Sequence, residues 1–287
     1  MTVYNLGGAV GIRRDFLEFT PVRTTFDVGN YLLYRARLAA AGRRDKQRSR
    51  QQGRDPIPPA ELRFRIGASM NEATHIEGGK GVAQDIKNLC NVAGRDLYSF
   101  NDILDFGCGC GRVIRNFRDR PASCNLHGTD IDPDLVEWCK HNLDGVDWNV
   151  NSHLPPLPFD DDSFDLIYAI SVFTHLDKDF QHAWLRELQR VSRPGATVIL
   201  TVHGESIIDR IRKWDRSYAD EAYEQGLLFL SGPTGRLKID GLPDFYQTAF
   251  HTKKYIHDEW SAYFDIVTYV ERGIADYQDA VILHKRP

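Results

Sequence analysis

Three glycines at alternate positions, Gly107, Gly109 and Gly111, follow a short apolar run at residues 101–106. The run reads as a buried strand, and residues 111–117 read as the start of a helix. Glycine has no Cβ, so the backbone of this turn can bend sharply and approach a ligand closely. Free N–H groups at the start of a helix favour electron-rich ligand groups. The pattern predicts a binding loop between a strand and a helix, which is more specific than Gly-x-Gly alone.

An acidic residue, Asp130, follows the loop in the sequence. Asp130 stands nineteen positions after Gly111, at the end of a second predicted strand over residues 125–130. A carboxylate at this point can accept hydrogen bonds from both ribose hydroxyls of a nucleoside. The alternative is an ordinary turn residue before Asp132 and Pro133, which form an acidic N-cap followed by a proline in the first helical position.

The glycine spacing and Asp105 discriminate between nucleoside ligands. A dinucleotide site has the spacing Gly-x-Gly-x-x-Gly and holds a pyrophosphate, whereas here the spacing is Gly-x-Gly-x-Gly. Asp105 stands two residues before the first glycine, where it would repel a pyrophosphate and attract an ammonium or sulfonium group. These residues argue against a nicotinamide cofactor.

The elements that must position these residues alternate between strand and helix. Further strands are predicted over residues 146–150, 164–170 and 196–202, with helical patterns from 132 to 143 and from 180 to 191. Two last apolar runs, 264–270 and 279–284, leave no room for a crossover helix and predict an antiparallel hairpin. The predicted fold is a doubly wound, mostly parallel, Rossmann-like α/β sheet with a C-terminal antiparallel hairpin and a helical N-terminal cap.

The predicted domains are the helical cap, residues 1–95, and the binding domain, residues 96–287, which contains a substrate-side insertion at 205–263. The cap has a basic segment from residue 35 to 54, which indicates either a contact for an acidic partner or a solvated helix end. Glycines at 67, 78, 79 and 81 indicate either hinges of a lid over the cofactor or plain turns.

Composition narrows the class of protein. The formal charge is −4, which gives no overall attraction to nucleic acid or anionic lipid. No apolar run is long enough to cross a bilayer, and the N-terminus lacks the pattern of a signal peptide. Five scattered cysteines suit a reducing, cytoplasmic setting better than a disulfide framework. Cys108 and Cys110 lack a second cysteine pair, so no metal site is predicted.

At this point the chain resembles the class I methyltransferases that use S-adenosyl-L-methionine (SAM). The resemblance rests on segments 104–112, 128–133, 157–167, 172–176 and 187–195, and it covers about residues 100–204 firmly and the last twenty-odd residues loosely. It implies that the glycine loop and Asp105 hold the methionine part of SAM and that Asp130 binds the ribose. It also implies that Ile131 and Asn151 contact the adenine. Ile170 and Ser171 would border the methyl group.

Methyl transfer from a sulfonium is a direct displacement, so the protein must align the acceptor and exclude water. A base is needed only where the acceptor has a proton to lose. The candidates in the insertion are Tyr246, His251 and Tyr255, each with core or surface packing as the alternative. His175, in segment 172–176, is a further candidate, and its alternative is a packing histidine that satisfies a backbone carbonyl.

The sequence therefore predicts a cytoplasmic SAM-dependent methyltransferase that acts on an oxygen or nitrogen of a small-molecule or sugar-containing acceptor. Membrane insertion and nucleic-acid binding are not expected, and the oligomeric state is open. The alternatives are a non-catalytic SAM-binding protein, an RNA or protein methyltransferase that uses segment 35–54, and a nicotinamide-dependent oxidoreductase. Fold alone does not decide among them.

Overall fold

A computed structural model describes residues 20–48, 55–67, 69–213, 215–230 and 247–287. The chain divides into two compact units, residues 1–76 with 232–244, and residues 77–231 with 245–287. The described part of the first unit holds α1 (Thr20–Arg48), α2 (Ala60–Gly67) and the first turn of α3 (Glu72–Val92). Its centre is the buried guanidinium of Arg63, which donates to Asp45 Oδ1 over 3.0 Å and to Met70 O over 2.6 Å.

The second unit is built on a seven-stranded sheet with the order β3-β2-β1-β4-β5-β9-β8. All pairs from β3 to β5 are parallel, and β9 runs antiparallel between β5 and β8. Its strands are β1 (Asp102–Phe106), β2 (Asn125–Asp130), β3 (Asp147–Val150), β4 (Phe164–Ala169), β5 (Ser192–Val202), β8 (Asp265–Ile274) and β9 (Gln278–His284). A separate antiparallel pair consists of β6 (Leu227–Leu230) and β7 (Thr248–His251). The predicted mostly parallel Rossmann-like sheet and its final hairpin are confirmed.

Helices cover the sheet because its strands alternate between two apolar faces. Leu104 and Phe106 of β1 join one buried cluster with Trp184 and Leu188 of α5 (Lys178–Val191). Every residue of β4 is buried, as expected for a central parallel strand. On the opposite face, Phe117 packs edge-on against Tyr168 of β4, with ring centroids 6.1 Å apart.

The helix that follows the glycine loop is shorter than predicted. Residues 111–117 form turns that end in a 3-10 helix, Ile114–Phe117, and the predicted longer helix is wrong. Gly111 has a φ of 66°, outside the helical region, so its turn cannot start a regular α-helix. Asn116 Nδ2 then donates to the carbonyls of Arg112 and Val113, which ties the short helix to the turn that precedes it.

The glycines at 78, 79 and 81 lie inside α3, so they are neither hinges nor turns. Gly67 is the last residue of α2. A Cβ on Gly79 would overlap the Arg112 carbonyl oxygen and lie 2.8 Å from Arg112 Cγ. The absence of a side chain therefore serves close packing of the helix on the segment after the glycine loop.

The described part of the insertion contains α6 (Glu205–Arg212), α7 (Arg216–Gln225), the β6–β7 pair, and α8 (Lys253–Tyr255), which continues into a π-turn, Ile256–Trp260. A small apolar cluster joins α6, α7, β6 and β7 through residues such as Ile207, Ala222, Leu228 and Phe250. α4 (Pro133–Asn142) begins at the predicted N-cap, where Asp132 accepts from the backbone N–H groups of Asp134 and Leu135. Within the described ranges, no helix combines the length and apolar character needed to span a bilayer.

Candidate cofactor and acceptor site

The glycine loop is hydrogen-bonded to the carboxyl end of β2. Gly107, Gly109 and Gly111 have φ angles of 79°, 56° and 66°, a region that residues with a Cβ rarely adopt. The N–H groups of Gly107 and Cys108 both donate to Thr129 O, over 2.8 and 3.0 Å. A Cβ on Gly107 would overlap Val172 Cγ2, so the loop lies directly against the segment that follows β4.

Asp130 closes the other side of the loop. Its Oδ2 accepts from Gly109 N over 2.7 Å, and its Oδ1 accepts from Asp132 N over 2.9 Å. Burial, only partly offset by these two donors, raises the pKa of Asp130 to about 6. Each carboxylate oxygen has a second lone pair, which is the capacity needed to accept from ribose hydroxyls.

Asp105 lies at the end of β1 and is 2% exposed. Its Oδ2 is shielded from solvent and makes no hydrogen bond of good geometry, although the Tyr168 hydroxyl and the Ile114 N–H lie near enough to the carboxylate to lower the pKa of Asp105. Burial first, and then the charge of Asp130, raise the pKa of Asp105 to about 7, against the opposing effects of Tyr168 and Arg112. A buried carboxylate oxygen without a partner, next to a second buried carboxylate, is a site that a cationic group would stabilise.

Asn151 follows β3 and reaches the end of β2. Its Oδ1 accepts from Thr129 Oγ1 over 2.8 Å, its Nδ2 donates to Ser152 O over 2.8 Å, and its backbone N donates to Asp130 O over 3.0 Å. Ile131, the residue after Asp130, is half-buried. The structure thus brings Asp130, Ile131 and Asn151, all predicted to bind the cofactor, to the carboxyl ends of the neighbouring strands β2 and β3.

Ile170 and Ser171 follow β4, and both are half-buried. Ser171 has a φ of 61°, which is strained for a residue with a Cβ. Two bonds hold this conformation: Ser171 N donates to Thr201 Oγ1 over 2.8 Å, and Gln278 Nε2 donates to Ser171 Oγ over 2.6 Å. Hydrogen bonds from both β5 and β9 therefore hold the segment that follows β4 in place.

Two histidines lie beyond the ends of β4 and β5. His175 Nδ1 is 2.5 Å from Gln247 O, and burial lowers the pKa of His175 to about 4. His203, directly after β5, has its ring centroid 6.2 Å from that of His175. Burial first, then His175, lower the pKa of His203 to about 3, and its Nδ1 has no partner. Sequence reasoning missed His203, although its place directly after the clearest strand was a usable signal.

The other candidate bases are placed differently. His251 is 0% exposed in the core, where its Nε2 lies 2.9 Å from Gln181 Nε2 and burial lowers its pKa to about 3. Tyr255 is buried, and burial raises its pKa beyond the ordinary range. These positions favour packing roles for both. Tyr246 lies outside the described residues.

The five cysteines are all buried free thiols. Cys108 Sγ and Cys139 Sγ lie 3.6 and 3.7 Å from the same carbonyl oxygen, Gly109 O. Burial raises the pKa of Cys108 and Cys110. Among the residues that the structure describes, no group of three or more histidine, cysteine or acidic side chains is arranged to hold a metal ion.

The sheet changes direction next to this site. From β1 the order runs to β2 and β3 on one side and to β4 and β5 on the other, and ligands of open α/β sheets bind at the carboxyl ends of strands at such a point. The glycine loop, Asp105 and Asp130 all lie there. Fold and site together define a Rossmann-like domain with a candidate nucleoside-binding site at the point where the strand order reverses.

Comparison with known proteins gives the same class. Residues 103–195 match the family "Methyltransferase domain", so this segment of the chain is similar to methyltransferase domains. The solved PH0226 protein from Pyrococcus horikoshii OT3 has a TM-score of 0.50 and 16% identity over 71% of this chain and 90% of that chain, a likeness of fold alone.

Two curated relatives match part of the chain. A malonyl-[acyl-carrier protein] O-methyltransferase from Hahella chejuensis is 28% identical over 116 residues, 39% of this chain and 40% of that protein. The methyltransferase GfsG from Streptomyces halstedii is 27% identical over 160 residues, 54% of each chain. The matches therefore span about half or less of these relatives.

Proposed function

We propose that this protein is a SAM-dependent methyltransferase that acts on an oxygen or nitrogen of a small-molecule acceptor. The observation that carries the proposal is the unpartnered, buried Oδ2 of Asp105 beside the glycine loop. An ammonium group, such as that of the methionine part of SAM, would supply the missing partner. The loop leaves no room for a side chain at Gly107, which agrees with a backbone that must approach a ligand closely.

Each residue of the site then has a proposed role. Gly107, Gly109 and Gly111 hold the methionine part, and Asp105 binds its ammonium group. Asp130 accepts from the ribose hydroxyls, and Ile131 and Asn151 contact the adenine. Ile170 and Ser171 border the methyl group that is transferred.

The cofactor, when bound, supplies an electrophilic methyl group on a sulfonium, and the chain's own residues bind, orient and shield. Ser171 is held by Thr201 and Gln278, so it can border the reacting atoms with little rearrangement. The relatives are named for different acceptors, malonyl-[acyl-carrier protein] and sterols among them, so the acceptor class must come from this chain's own site.

The test is calorimetric titration with SAM, S-adenosylhomocysteine and NAD. We expect micromolar binding of the first two and none of NAD. Asp130→Ala should abolish the binding of SAM and S-adenosylhomocysteine. Asp134 is an exposed aspartate in the first turn of α4, and Asp134→Ala should leave this binding unchanged. Binding of NAD in place of SAM, or equal affinities in the two variants, would contradict the proposed site.

A further inference from the structure

The described side chains of α1 pack on their own unit through one side of the helix. The ring of Tyr34 packs against that of Phe64 in α2, with centroids 5.0 Å apart. Asp45 accepts from the Arg63 guanidinium over 3.0 Å, and Ala41 is buried. Tyr34, Ala41 and Asp45 are separated by seven and four positions, so they lie on one helical face. The opposite face of residues 32–46 therefore faces solvent.

The solvent-facing side of α1 carries apolar residues at helical spacing. This α1 strip consists of Leu32, Leu33, Ala36, Ala39 and Ala40. Leu32 is 61% exposed, the largest fraction of any large apolar side chain that the structure describes, and Leu33 is 48% exposed. Exposed apolar side chains that adjoin on one face mark a contact surface, whereas scattered single ones do not.

Four exposed arginines surround the α1 strip. At about 100° per residue, Arg35 and Arg37 project roughly 100° to either side of the centre of the strip. Arg43 and Arg44 follow Ala39 and Ala40 by four positions, so they continue the strip one turn further along the helix. The apolar residues are thus bordered by positive charge at both edges and at one end.

The positive charge of this face has no acidic counterpart on the helix. Asp45 is the one acidic residue between positions 29 and 48, and it pairs with Arg63 on the packed side. Glu72, in the first turn of α3, pairs with Arg48 over 2.9 Å, so it neutralises none of the four arginines. The net charge of the chain is −4, so attraction to anions is a local property of α1.

The pattern of the face selects among anionic partners. An apolar strip with basic residues along its edges is typical of a helix that lies in the plane of an anionic lipid surface. The arginine side chains can then reach the lipid phosphates while the strip contacts the acyl chains. A second copy of this face would bring arginines together, and a nucleic-acid backbone would leave Leu32 and Leu33 without a contact. The strip also lacks the aromatic anchors that dominate protein interfaces.

We propose that the solvent-facing side of α1 binds to an anionic lipid surface, with the α1 strip in the boundary between headgroups and acyl chains and the four arginines on lipid phosphates. This contact goes beyond the proposed methyl transfer and does not depend on it. Each arginine near an anionic surface contributes about fivefold in affinity. The strip holds only two large side chains, so charge supplies most of the affinity, and the binding is reversible and salt-dependent.

Co-sedimentation of the full chain with lipid vesicles tests the contact. The probes are vesicles of phosphatidylcholine alone and vesicles in which phosphatidylglycerol replaces about a third of it. We expect binding to the mixed vesicles only. The affinity should fall by roughly tenfold or more as the ionic strength rises from about 0.05 M to about 0.5 M, because salt screens the arginines.

The first variant removes charge from the face. Arg43→Gln combined with Arg44→Gln should weaken binding to the mixed vesicles by about 25-fold, because two arginines are lost. The matched control is Lys140→Gln combined with Lys213→Gln, which removes the same charge at exposed positions outside α1. The control should change the affinity by less than about twofold, since charges beyond a Debye length are screened.

The second variant removes apolar contact without changing charge. Leu32→Gln keeps a good helix former and should weaken vesicle binding by about five- to tenfold, because a large side chain no longer leaves water. Val92, the last residue of α3, is 56% exposed and offers the control. Val92→Gln should bind the mixed vesicles as wild type does.

Several outcomes would overturn the lipid contact. The proposal is wrong if the mixed vesicles do not bind, or if phosphatidylcholine alone binds equally well. An unchanged affinity in Leu32→Gln also contradicts it, because the arginines would then act without the strip. Titrations with a single-stranded RNA oligonucleotide and with polyglutamate test the other anionic partners, and tighter binding of either would assign the face to that class instead.

Failure of the lipid contact is distinct from failure of the proposed function. All variants should keep the wild-type Tm and SAM affinity, since the substituted side chains are exposed. A variant with wild-type Tm and SAM affinity that no longer binds vesicles supports the lipid contact. Wild-type protein that binds vesicles but not SAM would contradict the methyltransferase function and leave the contact of α1 with lipid standing.

Discussion

Gly79 of α3 packs so closely on Arg112 that a Cβ at this position would overlap the Arg112 carbonyl oxygen. Arg112 directly follows the last glycine of the cofactor loop, so the helix buttresses the binding segment. Gly79→Ala should lower the free energy of unfolding by about 1–3 kcal/mol, because backbone atoms would have to move apart. Chemical denaturation measures the change.

Gly81 offers the control on the same helix. A Cβ there would meet nothing within 4 Å, so Gly81→Ala should stabilise the protein by up to about 1 kcal/mol through helix propensity alone. Both substitutions carry the same propensity gain, so their difference isolates the close packing at Arg112. Equal stabilities of the two variants would show that α3 does not need the close approach.

The second prediction concerns the overlap between Gly107 and Val172. Gly107→Ala should weaken SAM binding by more than roughly tenfold, because a left-handed φ costs about 1–2 kcal/mol with a Cβ and the loop must also shift away from Val172. Adding Val172→Ala removes the obstructing methyl group and should restore part of the affinity. Calorimetry on the four proteins of the cycle measures the coupling.

Gly145 separates backbone strain from loss of the site. It has a φ of 77°, nearly that of Gly107, but an added Cβ would meet the flexible end of Arg120 at 3.2 Å. Gly145→Ala should therefore cost stability without changing SAM affinity. A variant at Gly145 that lost SAM binding equally would mean that global destabilisation, not the overlap with Val172, explains Gly107→Ala.

The third prediction is a pH dependence at Asp105. Its pKa is raised to about 7 in the folded protein from about 3.9 in an unfolded chain, so the folded state holds the proton more tightly. The stability from this group is fully present below about pH 4 and is lost as pH rises through about 7. Asp105→Asn should therefore raise the free energy of unfolding of the ligand-free protein at pH 8, by at least about 1 kcal/mol.

SAM affinity should rise with pH, whereas the stability contributed by Asp105 falls. The ionised carboxylate attracts the ammonium group, so wild-type affinity should rise from pH 5.5 to pH 8, and Asp105→Asn should flatten the rise. Asp130, with a pKa of about 6, contributes to the same window and leaves a residual slope. Calorimetry across this pH range gives both profiles, and an unchanged slope in the variant would remove Asp105 from the cofactor site.

The fourth prediction compares two tyrosine–aspartate hydrogen bonds. Tyr269 OH donates to Asp279 Oδ2 over 2.6 Å, and Asp279 is 0% exposed. Tyr223 OH donates to Asp209 Oδ1 over 3.0 Å on the surface. Tyr269→Phe should cost about 1.5–3 kcal/mol of stability, because it removes one donor from a buried carboxylate. Tyr223→Phe should stay within about 0.5 kcal/mol, and similar costs for both would contradict the importance of burial.

The positions of the glycine loop and of Asp130 in the fold were predictable from the sequence. The glycine loop and the acidic residue after β2 are tied to strands that lie next to each other in sequence and in the sheet, so local pattern and known connection rules were sufficient. The N-cap at Asp132 and the C-terminal hairpin followed for the same reason. The helix after Gly111 was overestimated, because apolar spacing does not reveal a left-handed backbone at its first residue.

The acceptor side was decided only by the tertiary structure. His203 and Gln278 are 75 positions apart in the sequence, and only the pairing of β9 with β5, which ends at Val202 and Asp279, brings their strand ends together. The placement of the histidines depended on packing in the same way: each has an Nδ1 without a partner, but His251 is fully buried in the core, whereas half-buried His203 lies at the end of a strand. A sequence states which groups can do chemistry, but desolvation and the absence of a partner are properties of packing, and these select the groups that remain available.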